Sequence, residues 1–481
     1  MRISSIMASI WALFCCFTAG AQDIDHPKYE VRAVWLTTIG GLDWPHTYSQ
    51  SSASTIKQQR ELTDILDQLQ RANINTILLQ TRIRATTIYP SKYEPWDGCI
   101  SGHPGKSPGY DPLAFAIKEC HKRGMELHAW VVTIPVGKWD KLGCRTLNSR
   151  KKGIARRIGA DGYMKPEDPR TANYLADICE EITSKYDIDG IHLDYIRYPE
   201  QVAIPRQKLS SARNNITRIV KTITHRVKAI KPWVKMSCSP VGKFDDLSRY
   251  SSHGWNAYTK VAQDAQGWLK DGLMDQLYPM MYFKDNQFFP FALDWQENSH
   301  GKTIGAGLGI YFLSPREGKW TLDMIQRQLY FLRSEGIGHA FFRCKFLLDN
   351  TKGIYDFVCN EYNRYPAQIP PMKWSRQPSP APPQDVRLTT DEYNQEWLEW
   401  SAANNDDSEG KYTFYNIYKS SDLPVDTSDP RLLVVSRTAD TRIPLPCESR
   451  LFETHYAVTA IDRYGYESLP IYITREGTWK R

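Results

Sequence analysis

From residue 31 to about residue 363 the chain alternates between two hydrophobic patterns. Short apolar runs, of the kind buried on both faces of a parallel sheet, are followed by stretches whose apolar residues recur at helical spacing. The runs predict strands at 32–38, 74–84, 125–134, 188–199, 234–240, 274–283, 303–312 and 337–346. Helices are predicted at 55–71, 112–123, 169–186, 209–230, 257–270, around 288–296, at 321–334 and at 349–362. Ile65, Leu66 and Leu69 share one face of the first helix, Gly124 stops the second, and Pro232 stops the fourth. A basic loop precedes the third. Long loops follow the strands and short turns follow the helices. This asymmetry suits a (β/α)8 TIM barrel at residues 22–365 whose site is built on the C-terminal strand ends. An open doubly wound sheet is the alternative, but no Gly-rich phosphate loop follows the first strand.

The pattern changes after a proline-rich segment, 366–383, expected to be a stiff, extended linker. Short alternating runs then dominate residues 384–481. Leu398-Glu399-Trp400, Tyr415-Asn416-Ile417-Tyr418 and the run from Tyr456 to Ser468 resemble a fibronectin type III β-sandwich. The resemblance implies a spacer or a binding unit for a protein or glycan partner. No catalytic set is evident in it.

Composition changes this picture little. The net charge of +7 comes from interspersed charges, and the basic cluster Arg150-Lys151-Lys152 with Arg156 and Arg157 reads as a solvated face. Nucleic-acid binding has little support. The first 21 residues carry Arg2, an apolar run and Ala19-Gly20-Ala21, the features of a signal peptide. The expected product is an exported protein, periplasmic or at the cell surface, with no transmembrane segment. Export permits disulfides, and Cys99 and Cys144, both in Gly-rich loops, are the pair to consider. No cysteine or histidine spacing reads as a metal site, and no cofactor is expected.

The chemistry centres on Asp189-Gly190-Ile191-His192-Leu193-Asp194-Tyr195. Asp194 sits near the C-terminal end of the fourth predicted strand, where α/β folds bind ligands and where a buried carboxylate is costly unless paired or used. Together with Glu30-Val31-Arg32-Ala33-Val34-Trp35, Gln80-Thr81-Arg82, Arg213-Asn214-Asn215, Ser239-Pro240-Val241-Gly242, and Trp268-Leu269-Lys270-Asp271-Gly272 leading to Pro279-Met280-Met281-Tyr282, this segment resembles the glycosyl-hydrolase-like family 10 group. The resemblance implies exported barrels that hydrolyse glycosidic bonds, with cell-wall glycan as one substrate. Many relatives carry a second acid where this chain has Tyr195, and Pro-Gln where it has Pro279-Met280.

Glycoside hydrolysis ordinarily needs two carboxyl groups. Asp194 is expected to be the nucleophile or base. Glu200 is the favoured partner, and Asp245, Asp246 and Asp285 are alternatives in neighbouring loops. Arg82, Arg84, His128, Trp130, His192, Tyr195, Arg197, Tyr282 and Arg343, read from strand ends and the loops beyond them, are the expected substrate contacts. Trp35 and Tyr278 are expected to pack the barrel.

Overall fold

The computed structural model describes residues 26–250, 252–402, 413–446 and 453–475. The expected signal peptide lies outside them. Strands β1 (Arg32–Leu36), β2 (Thr76–Arg82) and β3 (Glu126–Val132) are followed by an insertion of β4 (Pro135–Lys138), β5 (Ala155–Ile158) and β6 (Asp161–Met164). The chain then forms β7 (Gly190–Asp194), β8 (Lys235–Cys238), β9 (Gln276–Leu277), β10 (Thr303–Leu308) and β11 (Gly338–Phe341). Outside the insertion these strands close a barrel in the order β1-β11-β10-β9-β8-β7-β3-β2, every neighbouring pair parallel.

Burial on both faces explains the unbroken apolar runs. Trp35, Leu78, Trp130, Val132, Tyr278 and Ala340 fill the barrel, while Val34, Ile77, Leu127, Ile191 and Met236 belong to the layer packed against the helices. Polar capping starts several of these helices. Ser51 and Ser54 form a capping box on Ser52–Arg71, and Asp111 and Asp168 cap Pro112–His121 and Pro169–Lys185, each with proline in the first turn.

Three expectations change. The loop before Pro169–Lys185 is a small antiparallel sheet, order β4-β6-β5, carrying the helix Leu142–Arg150. Its tight β5–β6 connection is Gly159-Ala160, with Gly159 at φ +58°, a conformation glycine adopts freely. The single helix expected at 257–270 is two, Ala257–Lys260 and Ala265–Lys270, parted at Ala262 (φ +59°) and restarted by the Asp264 cap. The last helix breaks likewise into Ile354–Phe357 and a π-turn, Val358–Tyr362.

A buried ionic layer closes the foot of the barrel, at the N-terminal ends of the strands. Glu30 accepts from Arg32 (2.6 Å) and from both Nε and Nη2 of Arg333 (2.9 and 2.8 Å). Burial alone would raise the Glu30 carboxyl, but the two guanidiniums outweigh it and hold the pKa at about 2. A depressed carboxyl pKa adds stability above the unfolded value and loses it as protons bind. Glu30 should therefore cease to stabilise the barrel between about pH 4.5 and pH 2. Glu30→Gln should flatten this part of a melting-temperature-against-pH curve.

Beyond the barrel the proline-rich stretch starts as a strap across this foot. Ala367, Ile369 and Met372 are buried, and Gln368 exchanges backbone hydrogen bonds with Lys28 and Glu30. Two antiparallel sheets follow. One is ordered β12-β13-β16 (Gln384–Thr390, Glu396–Ser401, Arg442–Pro444). The other is β15-β14-β17-β18, with β14 at Phe414–Ser420, β15 at Leu433–Thr438, β17 at Thr454–Ile461 and β18 at Ile471–Arg475. Leu398, Trp400, Tyr415, Ile417, Tyr456 and Val458 form their core. This unit abuts the barrel's foot. Arg437 donates to Asp189 (3.2 Å), Arg463 donates to Asp187 (2.8 Å), and the Phe414 ring lies against both guanidiniums. A Cβ at Gly124 would meet the Ser436 carbonyl oxygen at 2.2 Å, so the two units touch there. Among the described residues no helix is long and apolar enough to cross a membrane.

Candidate active site

Asp194 is the last residue of β7 and is 5% exposed. Its backbone is pinned to the strand beside it, since both the N–H and the hydroxyl of Thr133 donate to the Asp194 carbonyl. The side chain accepts three hydrogen bonds. The Ser239 hydroxyl (2.7 Å) and the Tyr195 N–H (2.8 Å) reach Oδ1, and Trp130 Nε1 (3.1 Å) reaches Oδ2. Burial pushes its pKa above the ordinary aspartate value, and these donors together with Arg197 only partly offset that effect. Removing the Ser239 donor raises it further. Ser239→Ala should therefore move the limb of the pH–rate profile governed by Asp194 to higher pH, and an unmoved limb would detach Asp194 from that titration.

Tyr195 follows at φ +52°, a left-handed turn that costs a non-glycine residue and sends the chain sharply out of the strand. Its ring stays 42% exposed over the Arg197 guanidinium, 4.6 Å from centroid to Cζ. These residues open onto a cleft of about 650 Å³ at the C-terminal ends of the strands. Trp130 and Tyr282 line it, and Phe342 stacks on Tyr282 at 5.6 Å. The inserted sheet builds one wall with Lys138, Asp161 and Tyr163. Gly162 lets that wall close down, because a Cβ there would lie 2.6 Å from Cys144 Sγ. A smaller cavity of about 280 Å³ lies at the opposite end, around Tyr29, Lys302 and Trp374, away from the strand ends that carry Asp194.

The cleft brings together Asp194, Glu200, Arg84, Trp130, Tyr195, Arg197, Tyr282 and Arg343. Arg343 reaches it while held by Asp43 (2.5 Å) and the Leu42 carbonyl (2.8 Å). Glu200 stands at the rim, bonded to Arg197 (2.5 Å).

Three expected contacts lie elsewhere. Arg82 does not share the position of Arg84. It is fully buried in a two-pronged pair with Glu94 (2.8 and 2.7 Å) and donates to the carbonyls of Val132 and Thr133. His128 is buried beside Glu126 (3.1 Å). His192 lies beneath the site between Ser237 (3.0 Å) and the Trp35 Nε1–H (3.2 Å), and burial holds its pKa well below the usual range, as a neutral ring. Asp245, Asp246 and Asp285 do not line the cleft. Cys99 and Cys144 are separate buried thiols, each on a helix rather than in a loop.

Two contributors escaped sequence reasoning. Ser239 was legible only as part of a motif, and Asp161 lay in what read as a basic loop. The Gly159-Ala160 turn between short alternating runs was the signal that could have exposed the hairpin.

A buried carboxyl cradled by donors under an aromatic-lined cleft thus lies at the C-terminal ends of a closed parallel (β/α)8 barrel, where barrel enzymes carry their active sites. The chain belongs to the glycosyl hydrolase-like 10 family, whose model matches residues 30–211 and 195–311. It is 28% identical over 426 residues to glycosyl hydrolase YngK of Bacillus subtilis (strain 168), covering 80% of this chain and 81% of that protein. It is 31% identical over 290 residues to glycosyl hydrolase DigH of Escherichia coli (strain K12), covering 53% of this chain and 65% of that one. Among solved structures it is similar to the catalytic domain of the Paenibacillus polymyxa beta-amylase. The identity there is 11%, the TM-score 0.46, and the match covers 70% of this chain and 98% of that one. Family membership supports a function of the glycoside-hydrolase type.

Proposed function

We propose that the protein is an exported glycoside hydrolase that cleaves O-glycosidic bonds in a polysaccharide, with peptidoglycan glycan strands as the first substrate to try. The observation that carries this reading is Asp194, buried at a strand end, raised in pKa and facing an aromatic-lined cleft. Trp130, Tyr195 and Tyr282 offer the ring faces on which sugar C–H groups stack. Glu200 is the second carboxyl.

The environments favour a division of labour opposite to the one expected from sequence. A carboxyl whose proton is favoured by burial suits the donor that protonates the leaving oxygen. Glu200, bonded to a guanidinium, suits the acceptor that activates water or attacks. The fibronectin type III-like unit serves as a binding or spacing module.

The test is release of reducing ends from purified wall glycan strands and from a polysaccharide panel, by the full chain and by Asp194→Asn and Glu200→Gln. Loss of activity on the alkaline side of the profile marks Asp194 as the acid, and loss on the acidic side marks it as the base. A wild-type chain that binds strands and cuts none would instead support a non-catalytic glycan-binding protein. Two departures from the family pattern that the resemblance implies, Tyr195 in place of a second acid and Met280 in place of Gln, favour that reading.

A further inference from the structure

We propose that the inserted β4-β6-β5 sheet and its helix carry a basic docking face for the acidic part of a glycan strand that extends beyond the cleft. The inference rests on the reading of this cleft as a glycan site and names the class of strand that fits it. Residues 135–165, which form the insertion, hold nine lysines and arginines against two aspartates. The whole chain has 61 basic and 54 acidic residues, so the remainder balances at 52 of each. The net charge of +7, interspersed as it reads along the sequence, therefore resides in the insertion.

Most of this charge is left uncompensated. Lys138 is taken up by Asp161 and Arg156 by Glu167, while Asp168 is taken up by Arg170. Lys165 is half-buried. The other six, Lys141, Arg145, Arg150, Lys151, Lys152 and Arg157, are exposed and form no ion pair with any described residue. Asp140 is the only exposed acid of the insertion. Lys141 and Arg145 stand one turn apart at the start of the helix Leu142–Arg150, whose buried side is Gly143, Cys144 and Leu147. Like charges at that spacing repel. Local stability does not explain them. The helix dipole favours Arg150 at the C-terminal end but opposes Lys141 at the N-cap, where no capping hydrogen bond forms.

The face adjoins the cleft. β6 lies between β4 and β5, and Lys138 on β4 with Asp161, Gly162 and Tyr163 on β6 line the cleft. Arg157 on β5 pairs with Gly162, one strand back from that wall. A strand that leaves the cleft over this wall meets the unpaired cations next. Exposed lysines and arginines on flexible stems fix no single anion, but they attract charge repeated along a polymer. A polysaccharide with carboxylates recurring along its sugars carries such charge, and a neutral one does not.

The test uses the full chain carrying Asp194→Asn, with and without the fourfold change Lys141→Glu, Arg145→Glu, Lys151→Glu and Lys152→Glu. All four side chains are exposed and none lines the cleft. The probes are polygalacturonate and peptide-free wall glycan strands. Each is set against the same polymer with its carboxyls esterified or amidated, and against a tetrasaccharide of the same repeat. At least one acidic polymer should bind about tenfold or more tighter than its masked form, with affinity falling steeply between about 50 and 200 mM salt as counterions are released. The fourfold variant should lose that preference and bind the tetrasaccharide as before. If it fails to fold, Lys151→Glu with Lys152→Glu, in the turn beyond the helix, should still lower the preference about threefold.

Equal affinity for masked and free polymers in both pairs, or a preference that survives these substitutions, overturns the face. Phosphatidylglycerol vesicles bound more tightly than either polymer, and released by the same substitutions, would assign it to a lipid surface and overturn the glycan. In the chain with Asp194 intact, cleavage without any charge preference would sink this inference and leave the hydrolase reading standing. Substitution-sensitive preference without cleavage would do the reverse.

Discussion

Asp194→Asn should lower turnover of the glycan by about 10²- to 10⁴-fold while leaving the barrel folded, the range over which a positioned proton-transfer group acts. The substitution keeps the shape of a side chain whose two oxygens are gripped by Ser239, the Tyr195 N–H and Trp130. It removes the ability to give or take a proton at the strand end, at the cost of the acceptor that faces the Trp130 N–H. Turnover should be compared with binding of the same strands, because Trp130, Tyr195 and Tyr282 line the same cleft as Asp194. Loss of turnover with affinity retained is the expected pattern. Undiminished turnover would exclude Asp194 from the chemistry and, with it, the placement of the reaction in this cleft.

The largest expected effect on stability lies away from the cleft. Glu94→Ala should destabilise the barrel by about 3–5 kcal/mol, as when one member of a buried ion pair is removed. Arg82 and Glu94 are both almost wholly out of water, and the Tyr174 hydroxyl donates to the same carboxylate (3.1 Å). Truncating Glu94 leaves the Arg82 charge buried with only the carbonyls of Val132 and Thr133 beside it. Replacing both partners with Arg82→Met and Glu94→Leu should recover most of the loss, since a well-packed apolar pair removes the desolvated charge as well. Denaturant titration of the single and double variants reads both values. If the single variant were as stable as wild type, the pair would have no structural importance.

The barrel was legible because its signals are local and repeated. Eight apolar runs, each followed by a helical period, leave few ways to bury both faces, and the strand end at Asp194 follows from the same periodicity. What periodicity cannot reveal is which way a polar side chain turns once its strand stops. Arg82 and Arg84 alternate on paper to one side, yet the ladder between β2 and β3 shifts register at Arg82, and the chain then leaves the strand. One guanidinium goes under the loop to Glu94 and the other into the cleft. His192 shares the face of Asp194 but sits two residues deeper, where Trp35 and Ser237 already enclose it. The inserted sheet was hidden for another reason. Its strands are four residues each, too short for alternation to stand out from a basic loop.

The ion pairs that join Arg437 and Arg463 to Asp189 and Asp187 set the direction in which the molecule works. They fasten the β-rich unit to the end of the barrel opposite the opening, so the mouth of the cleft stays uncovered by it.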